Sequence, residues 1–254
     1  MNITQEHVGI IILAAGKGTR MKSDRAKVLH EICGRSMISH VVQTAEKIAG
    51  KNIIVVVGHQ GNAVKQDIIP HYTVSFADQN EQLGTGHAVM CALPHVDTNL
   101  QHIIILCGDV PLISDTTIKN LIENHLKNDL DISLLAVDME NPTGYGRILT
   151  DNNNHVTGIV EEADATLDQK NIKTINSGIY CVGRQCLSEL LAEIKPNNKQ
   201  GEYYLTDIIS IGVERNKKIG LTRSDNYREI IGINDVKTLE HVEALMNAQA
   251  GKIS

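Results

Sequence analysis

The feature that most constrains this chain is a regular exchange between short apolar runs and longer amphipathic stretches over about the first 130 residues. The apolar runs are rich in Ile and Val, as in VGIIILAA, NIIVVV and HIIILCG. Stretches of helix length follow them, such as SMISHVVQTAEKIAG and TTIKNLIENHLKN. Apolar strands that alternate with helices are typical of β-α-β units, in which helices cover both faces of a parallel sheet. The sequence therefore predicts an α/β fold with a Rossmann-like, mostly parallel sheet.

The pattern changes after about residue 131. The apolar runs become shorter and alternate with polar residues, as in YGRILTD and HVTGIVEEAD, and NPTGYG and DNNNH separate them. We interpret residues 131–230 as a smaller β lobe attached to the sheet. Residues 231–254 are predicted to form a C-terminal segment with a last helix after Asn234.

Composition and charge restrict the partners that we expect. The net charge is −6, and the chain has one Phe, six Tyr and no Trp, which leaves little material for stacking nucleic-acid bases. The longest apolar stretch, residues 8–15, is far shorter than the ~20 residues of a membrane span. Five scattered cysteines without a C-x-x-C pair indicate small buried hydrophobes in a reducing compartment. We therefore expect a cytoplasmic protein that binds neither membrane nor nucleic acid.

A glycine-rich, cationic loop follows the first apolar run, and it reads GKGTRMKSDRAK at residues 16–27. Glycines let backbone N–H groups approach a phosphate, Arg20 can hold phosphate oxygens in a bidentate fork, and Lys27 can neutralise one of them. The dinucleotide fingerprint fails because Met21 takes the third glycine position, and no GK[ST] follows with P-loop spacing. A plain loop with solvated charges is the alternative, although the density of cations favours a phosphate site.

One segment further along could contribute a metal ligand, and a second one indicates the start of a helix. Asp109 follows the strand HIIILCG, where a parallel sheet presents ligands, and a hard carboxylate suits Mg²⁺. The alternative is a turn aspartate before a Val-Pro pair. Asn234 or Asp235 precedes VKTLEHVEALM, and the sequence alone favours a helix N-cap at this point.

The segment QNEQLGTGHA offers groups that could read a nucleotide base. Gln79 and Gln82 supply amides for a base edge, and Gly84 and Thr85 could bring the backbone close to the base or ribose. A plain helix start with Thr85 as N-cap is the alternative, and the two interpretations are compatible.

Eight motifs in order carry a resemblance to a known family: LAAGKGTRMKSDRAKVLH, QNEQLGTGHA, CGDVPL, NPTGYGRI, GIVEE, INSGI, QGEYYLTDI and GIND. Over about residues 8–250 the chain resembles the uridyltransferase domain of the bacterial N-acetylglucosamine-1-phosphate uridyltransferase GlmU. The resemblance implies a nucleotidyltransferase (GT-A-like) fold in which about residues 1–130 bind the nucleotide and about 131–230 form the sugar-binding lobe. It implies Mg²⁺-dependent transfer of UMP from UTP to N-acetylglucosamine 1-phosphate. The products would be pyrophosphate and UDP-N-acetylglucosamine, a precursor of peptidoglycan and lipopolysaccharide.

The resemblance also assigns roles to residues. Lys27, Arg20 and Asp109 would be catalytic, with Lys27 as the main catalytic cation, and Asp109 and Asn234 would hold the metal. The implied substrate-binding residues are Leu13, Ala14, Ala15, Gly16, Lys27, Gln79, Gln82, Gly84, Thr85, Cys107, Gly108, Asp109, Gly146, Glu161, Asn176, Tyr204, Thr206 and Asn234. Of these, the sugar pocket would comprise Gly146, Glu161, Asn176, Tyr204 and Thr206.

The chain departs from the family pattern in several places. Ala26 stands where proline is frequent, so we expect a less rigid loop before Lys27. Cys107 replaces a common tyrosine, with little expected effect because its contact would be through the backbone. Ala163 replaces a lysine, so one phosphate or salt-bridge contact is not expected. No hexapeptide β-helix domain follows, so we expect no acetyltransferase activity, and the oligomeric state stays open without that trimerising domain.

Two alternatives remain open at this stage. The first is a related nucleotidyltransferase for another sugar or base; however, the spacer from Met21 to Ala26 is shorter than in thymidylyl and glucose enzymes. Cytidylyl and molybdopterin relatives are not expected to carry QLGTGHA and EYYLTD together. The second is a non-catalytic nucleotide-sugar sensor, which predicts loss of Asp109 or Lys27, and both are present.

Overall fold

A nine-stranded sheet with helices on both faces forms the centre of the computed structural model, which describes residues 7–250. The strands are β1 Val8–Ala14, β2 Glu31–Ile32, β3 Arg35–Ser36, β4 Ile53–Val57, β5 Ser75–Asp78, β6 His102–Cys107, β7 Ile132–Asp138, β8 Arg147–Thr150, β9 Val156–Val160, β10 Thr174–Gly183 and β11 Ile219–Arg223. The helices are α1 Met37–Ala49, α2 Gly61–Ile68, α3 Thr85–Ala92, α4 Asp115–Lys127, α5 Leu167–Lys170, α6 Arg184–Leu191, α7 Asp207–Glu214 and α8 Val236–Ala250. β2 and β3 form a separate hairpin.

The order of strands along the sheet is β11-β7-β10-β6-β1-β4-β5. β1 lies parallel to β4 and β6, β4 is parallel to β5, and β11 is parallel to β7. Only β10 runs against its neighbours on this path, because it pairs antiparallel with both β6 and β7. The predicted α/β fold with a mostly parallel sheet is confirmed.

The alternation of side chains along β1 explains why its apolar run is continuous. Ile10 and Ile12 pack into the core on the α1 face, whereas Ile11 packs on the opposite face with residues of α3. All three side chains are fully buried. A strand covered on both faces must be apolar at every position, as the sequence indicated.

Three strands of the second half join the central sheet. β7, β10 and β11 extend it beyond β6, and only β8 and β9 lie off the main path, where β8 pairs with β10 and β9. The predicted division near residue 131 falls between α4 and β7, and it stays a prediction. Residues 1–6 and 251–254 of the predicted domains lie outside the described residues.

Besides the cores on the two faces of the sheet, a smaller hydrophobic cluster attaches the C-terminal helix α8 to the β2–β3 hairpin. Ile32 and Met37 pack with Ile231, Ile233 and Val242. The segment before α8 is thereby held against the hairpin and the start of α1, which brings residues near 234 back to the start of the chain. None of the helices described within residues 7–250 is long and apolar enough to cross a membrane.

All five cysteines are free thiols. Cys181 and Cys186 are buried, as expected, but Cys33 is exposed and corrects the prediction that the cysteines are buried. Cys33 and Gly34 have φ of 50° and 77° and form the two-residue turn between β2 and β3. Such turns lie at the surface, where a side chain meets solvent.

Candidate active site

A cleft of about 500 Å³ opens where the carboxyl ends of β1, β5 and β6 meet. In parallel sheets this edge is where ligands bind. Eleven residues expected at a nucleotide site line it, namely Leu13, Ala14, Ala15, Gly16, Lys27, Gln79, Gln82, Gly84, Thr85, Cys107 and Asp109. The structure therefore brings together three loops that are far apart in sequence.

Six further residues line the cleft that sequence reasoning did not assign, namely Lys17, Gly18, Thr19, Val28, Ala88 and Glu202. Lys17, Gly18 and Thr19 belong to the glycine-rich loop that was already singled out. The motif QGEYYLTDI contained Glu202, but nothing in the sequence indicated that this residue lines the cleft.

Gly18 holds the cationic loop close to Lys27. Its φ is +63°, in the left-handed region, and a Cβ built on Gly18 would lie only 2.5 Å from the Cβ of Lys27. Side chains larger than hydrogen are therefore excluded by sterics as well as by backbone conformation. Arg25, another cation of this loop, forms an exposed ion pair with Glu31.

Four polar side chains converge beside the cleft. The ammonium of Lys27 donates to Asp109 Oδ2 at 2.5 Å and to Asn234 Oδ1 at 3.0 Å. Arg20 Nη2 donates to the same Asn234 Oδ1 at 3.0 Å. The three residues expected to be catalytic thus meet the expected metal ligand Asn234. Gly108 lies directly before Asp109, and its N–H donates to Leu13 O at 2.9 Å, which joins this loop to the end of β1.

Asp235, rather than Asn234, caps helix α8. Asp235 Oδ1 accepts from the N–H and the hydroxyl of Thr238, both at 2.8 Å. The N-cap that the sequence favoured is therefore assigned to Asp235, and this leaves the side chain of Asn234 to join Lys27 and Arg20.

Ala26 is held firmly although it lacks the ring of a proline. Its φ is −54°, close to the angle that proline imposes, and the residue is buried. Its N–H donates to Gln60 Oε1 at 2.7 Å, and Gln60 Nε2 donates to the carbonyl of Asp24. Proline could not make the first bond, so Gln60 supplies a restraint on the loop before Lys27 that the sequence did not reveal.

Gln79 and Gln82 line the cleft at the end where the sequence predicts a nucleotide base, which we name the base end. Gln79 is buried, and its amide nitrogen donates to Gly84 O at 3.0 Å and lies 3.1 Å from His87 Nδ1. Gln82 Nε2 donates to Gln79 O at 3.0 Å. These contacts fix both amides, which a group that discriminates between bases requires.

The helix start at residues 84–85 differs from the sequence interpretation. Thr85 is the first residue of α3 and Gly84 takes the N-cap position, so Thr85 is not the N-cap. The hydroxyl of Thr85 accepts instead from the N–H of Leu205 at 3.0 Å. At Gly84, where φ is +111°, a Cβ would lie 2.6 Å from the carbonyl oxygen of Tyr203. This glycine is therefore required by the neighbouring backbone of the protein itself.

The residues expected to bind the sugar form a second group. Thr206 Oγ1 donates to Glu161 Oε1 at 3.1 Å, and a Cβ on Gly146 would lie 3.3 Å from Glu161 Oε2. Burial raises the pKa of Glu161. Asn176 N–H donates to Gly146 O at 2.8 Å. Tyr204 is buried, and burial raises the pKa of its hydroxyl, with the carboxylates of Asp164 and Glu161 acting in the same direction.

The side chain of Asn176 is used within the protein. Its Nδ2 donates to the hydroxyl of Tyr180 at 2.7 Å, and its Oδ1 accepts from the N–H of Gly178 at 3.1 Å. Cys107 is similarly occupied, since its Sγ donates to Gly178 O at 3.6 Å and burial raises its pKa to about 12. Any ligand contact by Cys107 would then be made by its backbone, in line with the expectation.

The donor set beside the cleft fits a hard divalent cation. Within residues 7–250 no three His, Cys, Asp or Glu side chains converge as a metal cluster. Asp109 and Asn234 nevertheless direct one oxygen each at the same cation, the ammonium of Lys27. Mg²⁺ is commonly bound by one or two protein oxygens together with waters and substrate phosphates, whereas zinc sites need more protein ligands.

The mostly parallel sheet and the glycine-rich, cationic loop after β1 define an α/β protein with its cleft at the carboxyl ends of the strands. Residues 10–197 match the MobA-like NTP transferase domain. The chain belongs to this family.

Two curated relatives are similar to this chain over most of its length. The chain is 46% identical over 236 residues to the bifunctional protein GlmU of Francisella tularensis subsp. novicida. It is 42% identical over 236 residues to the bifunctional protein GlmU of Clostridioides difficile. Each alignment covers 93% of this chain and 51% of the relative, so the chain spans about half the length of these relatives.

A solved structure of the same fold is HddC from Yersinia pseudotuberculosis, crystallised in complex with GMP-PN. The TM-score is 0.70, with 21% identity, and the match covers 94% of this chain and 99% of HddC. At this identity the likeness shows the fold alone.

Proposed function

We propose that this chain transfers UMP from UTP to N-acetylglucosamine 1-phosphate, which yields UDP-N-acetylglucosamine and pyrophosphate. The observation that carries the proposal is the convergence of Lys27, Asp109 and Asn234 beside a cleft with glycine-rich walls. The likeness to the GlmU proteins over 93% of the chain supports this choice of substrates.

The proposed reaction is a substitution at phosphorus. An oxygen of the sugar 1-phosphate attacks the α-phosphorus of UTP and forms a new P–O bond. The bond from that phosphorus to the bridging oxygen breaks, and its electron pair leaves with pyrophosphate. Because the nucleophile is already an anion, no general base is needed, and catalysis consists of alignment and charge neutralisation.

The cations of the first loop are the groups that would neutralise the triphosphate. Lys27 is largely buried, with 14% of its side chain exposed, so its charge acts in a medium less polar than water. Arg20 is exposed and donates a hydrogen bond to Asn234, and its guanidinium would bind phosphate oxygens from this position. The backbone of Leu13, Ala14, Ala15 and Gly16 would lie along the nucleotide.

Asp109 and Asn234 would hold Mg²⁺, which supplies positive charge for the phosphate oxygens when it is bound. The position of Asn234 depends on α8, because Asp235 caps that helix directly after it. The cleft residue Asp109 is fixed through Gly108, whose N–H is bonded to Leu13 at the end of β1.

The base end of the cleft suits uracil. The nitrogen of the Gln79 amide is occupied by Gly84 O, so its carbonyl oxygen can accept the N3–H that uracil presents. Cytosine has an unprotonated N3 at this position and would leave that oxygen unpaired, which costs binding free energy.

We assign the sugar phosphate to the second group, around Glu161, Thr206 and Tyr204, and the sugar-binding lobe to about residues 131–230. These side chains present hydroxyl and carboxyl groups for the hydroxyls and the acetamido arm of the sugar. The five free thiols fit a reducing compartment, so we place the reaction in the cytoplasm.

A substrate matrix tests the proposal. Purified protein with Mg²⁺ is assayed for pyrophosphate release with UTP, CTP, ATP or GTP against glucose, glucosamine and N-acetylglucosamine 1-phosphates. We expect the highest kcat/KM for UTP with N-acetylglucosamine 1-phosphate. A higher kcat/KM for another pair would identify that pair as the substrates instead. Binding of nucleotide sugar without turnover of any pair would indicate a sensor.

A further inference from the structure

A segment that we name the strap, residues 198–206, joins the cleft to the sugar group. Asn198 shapes its first turn, because its Oδ1 accepts from the N–H of Gln200 and of Glu202, both at 3.2 Å. The strap lies before α7 and includes Glu202, which lines the cleft, and Thr206, which contacts Glu161.

On the cleft side, the strap is bonded to the loop that carries the base-end residues. Tyr203 N–H donates to Leu83 O at 2.7 Å, and Gly86 N–H donates to Tyr203 O at 2.7 Å. The bond from Leu205 N–H to Thr85 Oγ1 adds a third link. These bonds fix the middle of the strap.

On the sugar side, the strap meets the turn at residues 161–165, which follows β9. This turn is closed by Glu161 O, which accepts from Asp164 N–H at 3.0 Å and Ala165 N–H at 2.9 Å. Lys199 contacts it twice. Its backbone N–H donates to Asp164 Oδ1 at 3.1 Å, and its ammonium donates to Ala163 O at 2.7 Å.

We propose that Lys199 is a positioning residue for the sugar pocket. Ala163 lies directly after Glu161 and Glu162, in the turn that follows β9. Here a lysine from the strap places its ammonium on the backbone of that same position. The inference rests on the proposed function, since it assigns the turn that carries Glu161 to sugar-phosphate binding.

The physical effect is orientation of Glu161. The carboxylate of Glu161 is held from one side by Thr206 of the strap, and its backbone carbonyl closes the turn that Lys199 holds. A bond from an ammonium to a carbonyl is stronger than one between neutral groups. Without it the turn could shift relative to the strap, and a binding group displaced by about 1 Å loses much of its contribution.

Three variants test the inference: Lys199→Met, Lys199→Arg and the control Lys195→Met. Lys195 is an exposed lysine just before the strap. Lys195→Met therefore removes the same positive charge as Lys199→Met. We expect Lys199→Met to raise KM for N-acetylglucosamine 1-phosphate about tenfold, equivalent to ~1.4 kcal/mol. KM for UTP and kcat should change by less than about twofold, Lys199→Arg should recover most of the loss, and Lys195→Met should behave as the parent protein.

Hydrogen exchange of the same proteins separates this inference from the proposed function. Exchange at the amides of Asp164 and Ala165 should accelerate in Lys199→Met and not in Lys195→Met. Unchanged exchange, or equal KM effects on both substrates, would overturn the role of Lys199. If the parent protein turns over no pair of substrates while exchange still accelerates, the proposed function fails and the role of Lys199 in holding the turn stands.

Discussion

At the scale of single residues, the account depends on how Lys27 is held. Gly18 lets the loop pass against its side chain, and Gln60 restrains Ala26 directly before it. The sequence indicated Lys27 and its loop because the cations are dense and local. It could not indicate Gln60, because the bond to Ala26 joins residues 34 positions apart.

Gly18→Ala should lower kcat/KM by more than about tenfold, because the new methyl would meet Lys27 at 2.5 Å. It should also cost about 1–2 kcal/mol of stability because alanine disfavours positive φ. Steady-state kinetics and urea unfolding measure the two effects. Gly34→Ala is the matched control: its φ is +77° but nothing lies within 4 Å, so it should show the stability cost with normal activity.

Gln60→Asn should reduce kcat several-fold, because the shorter side chain cannot reach the N–H of Ala26 as Gln60 does. Asparagine tolerates the positive φ of this position, 53°. In an Ala26→Pro background the same substitution should have little effect, because proline holds φ by itself and has no N–H to bond. Equal effects in both backgrounds, measured as a double-mutant cycle, would show that Gln60 does not act through residue 26.

At the scale of elements, the alternation of apolar runs and amphipathic stretches identified the strands and helices of the first half. Periodicity reports which faces are buried, but it does not report which strand lies beside which. The insertion of β10 between β6 and β7, and the pairing of the strap with residues 83–86, are long-range contacts of this kind. For the same reason the sequence did not show that three of the strands after residue 131, namely β7, β10 and β11, extend the central sheet.

A buried, titratable side chain, His125, links helix α4 to strands β6 and β7. His125 Nδ1 lies 2.9 Å from Ser133 Oγ of β7, and its Nε2 lies 3.2 Å from His102 Nδ1 of β6. Burial lowers the pKa of His125 to about 4, assisted by His102 and opposed by the charges of Asp131 and Asp129. The neutral imidazole is therefore the form that the folded protein favours.

The free energy of unfolding should consequently fall on acidification. Because the folded-state pKa is about 4 and the ordinary value is 6.5, this contribution is complete above pH 6.5 and is lost as pH falls through 4. The loss should reach about 3 kcal/mol. In His125→Gln the change in unfolding free energy between pH 7 and pH 4 should be smaller, as measured by urea titration. His155→Gln, at a side chain that is 78% exposed, should keep the full pH dependence; equal profiles for both variants would contradict the assignment.

At the scale of the whole molecule, the site is assembled from distant parts of the chain. Lys27 and Asn234 are 207 positions apart, and Lys27 and Asp109 are 82 positions apart. The sequence named all three through motif order, but their contact depends on α8 packing against the β2–β3 hairpin. The strap was missed as a connection because its motif showed only hydroxyl and carboxyl groups, not the backbone bonds that join it to both pockets.

The most direct test of the central claim is the initial rate of pyrophosphate release from UTP and N-acetylglucosamine 1-phosphate with Mg²⁺. The parent protein is compared with Lys27→Met, Asp109→Asn and the control Arg25→Met. In the parent protein the side chain of Arg25 forms an exposed ion pair with Glu31. We predict turnover by the parent and the control, and kcat lower by about 10²–10³ in the other two. Lys27→Met loses a positive charge that would neutralise the triphosphate, and Asp109→Asn loses the carboxylate charge that would hold Mg²⁺. A folded parent protein that releases no pyrophosphate, or rates within a few-fold of the parent in Lys27→Met and Asp109→Asn, would contradict the account.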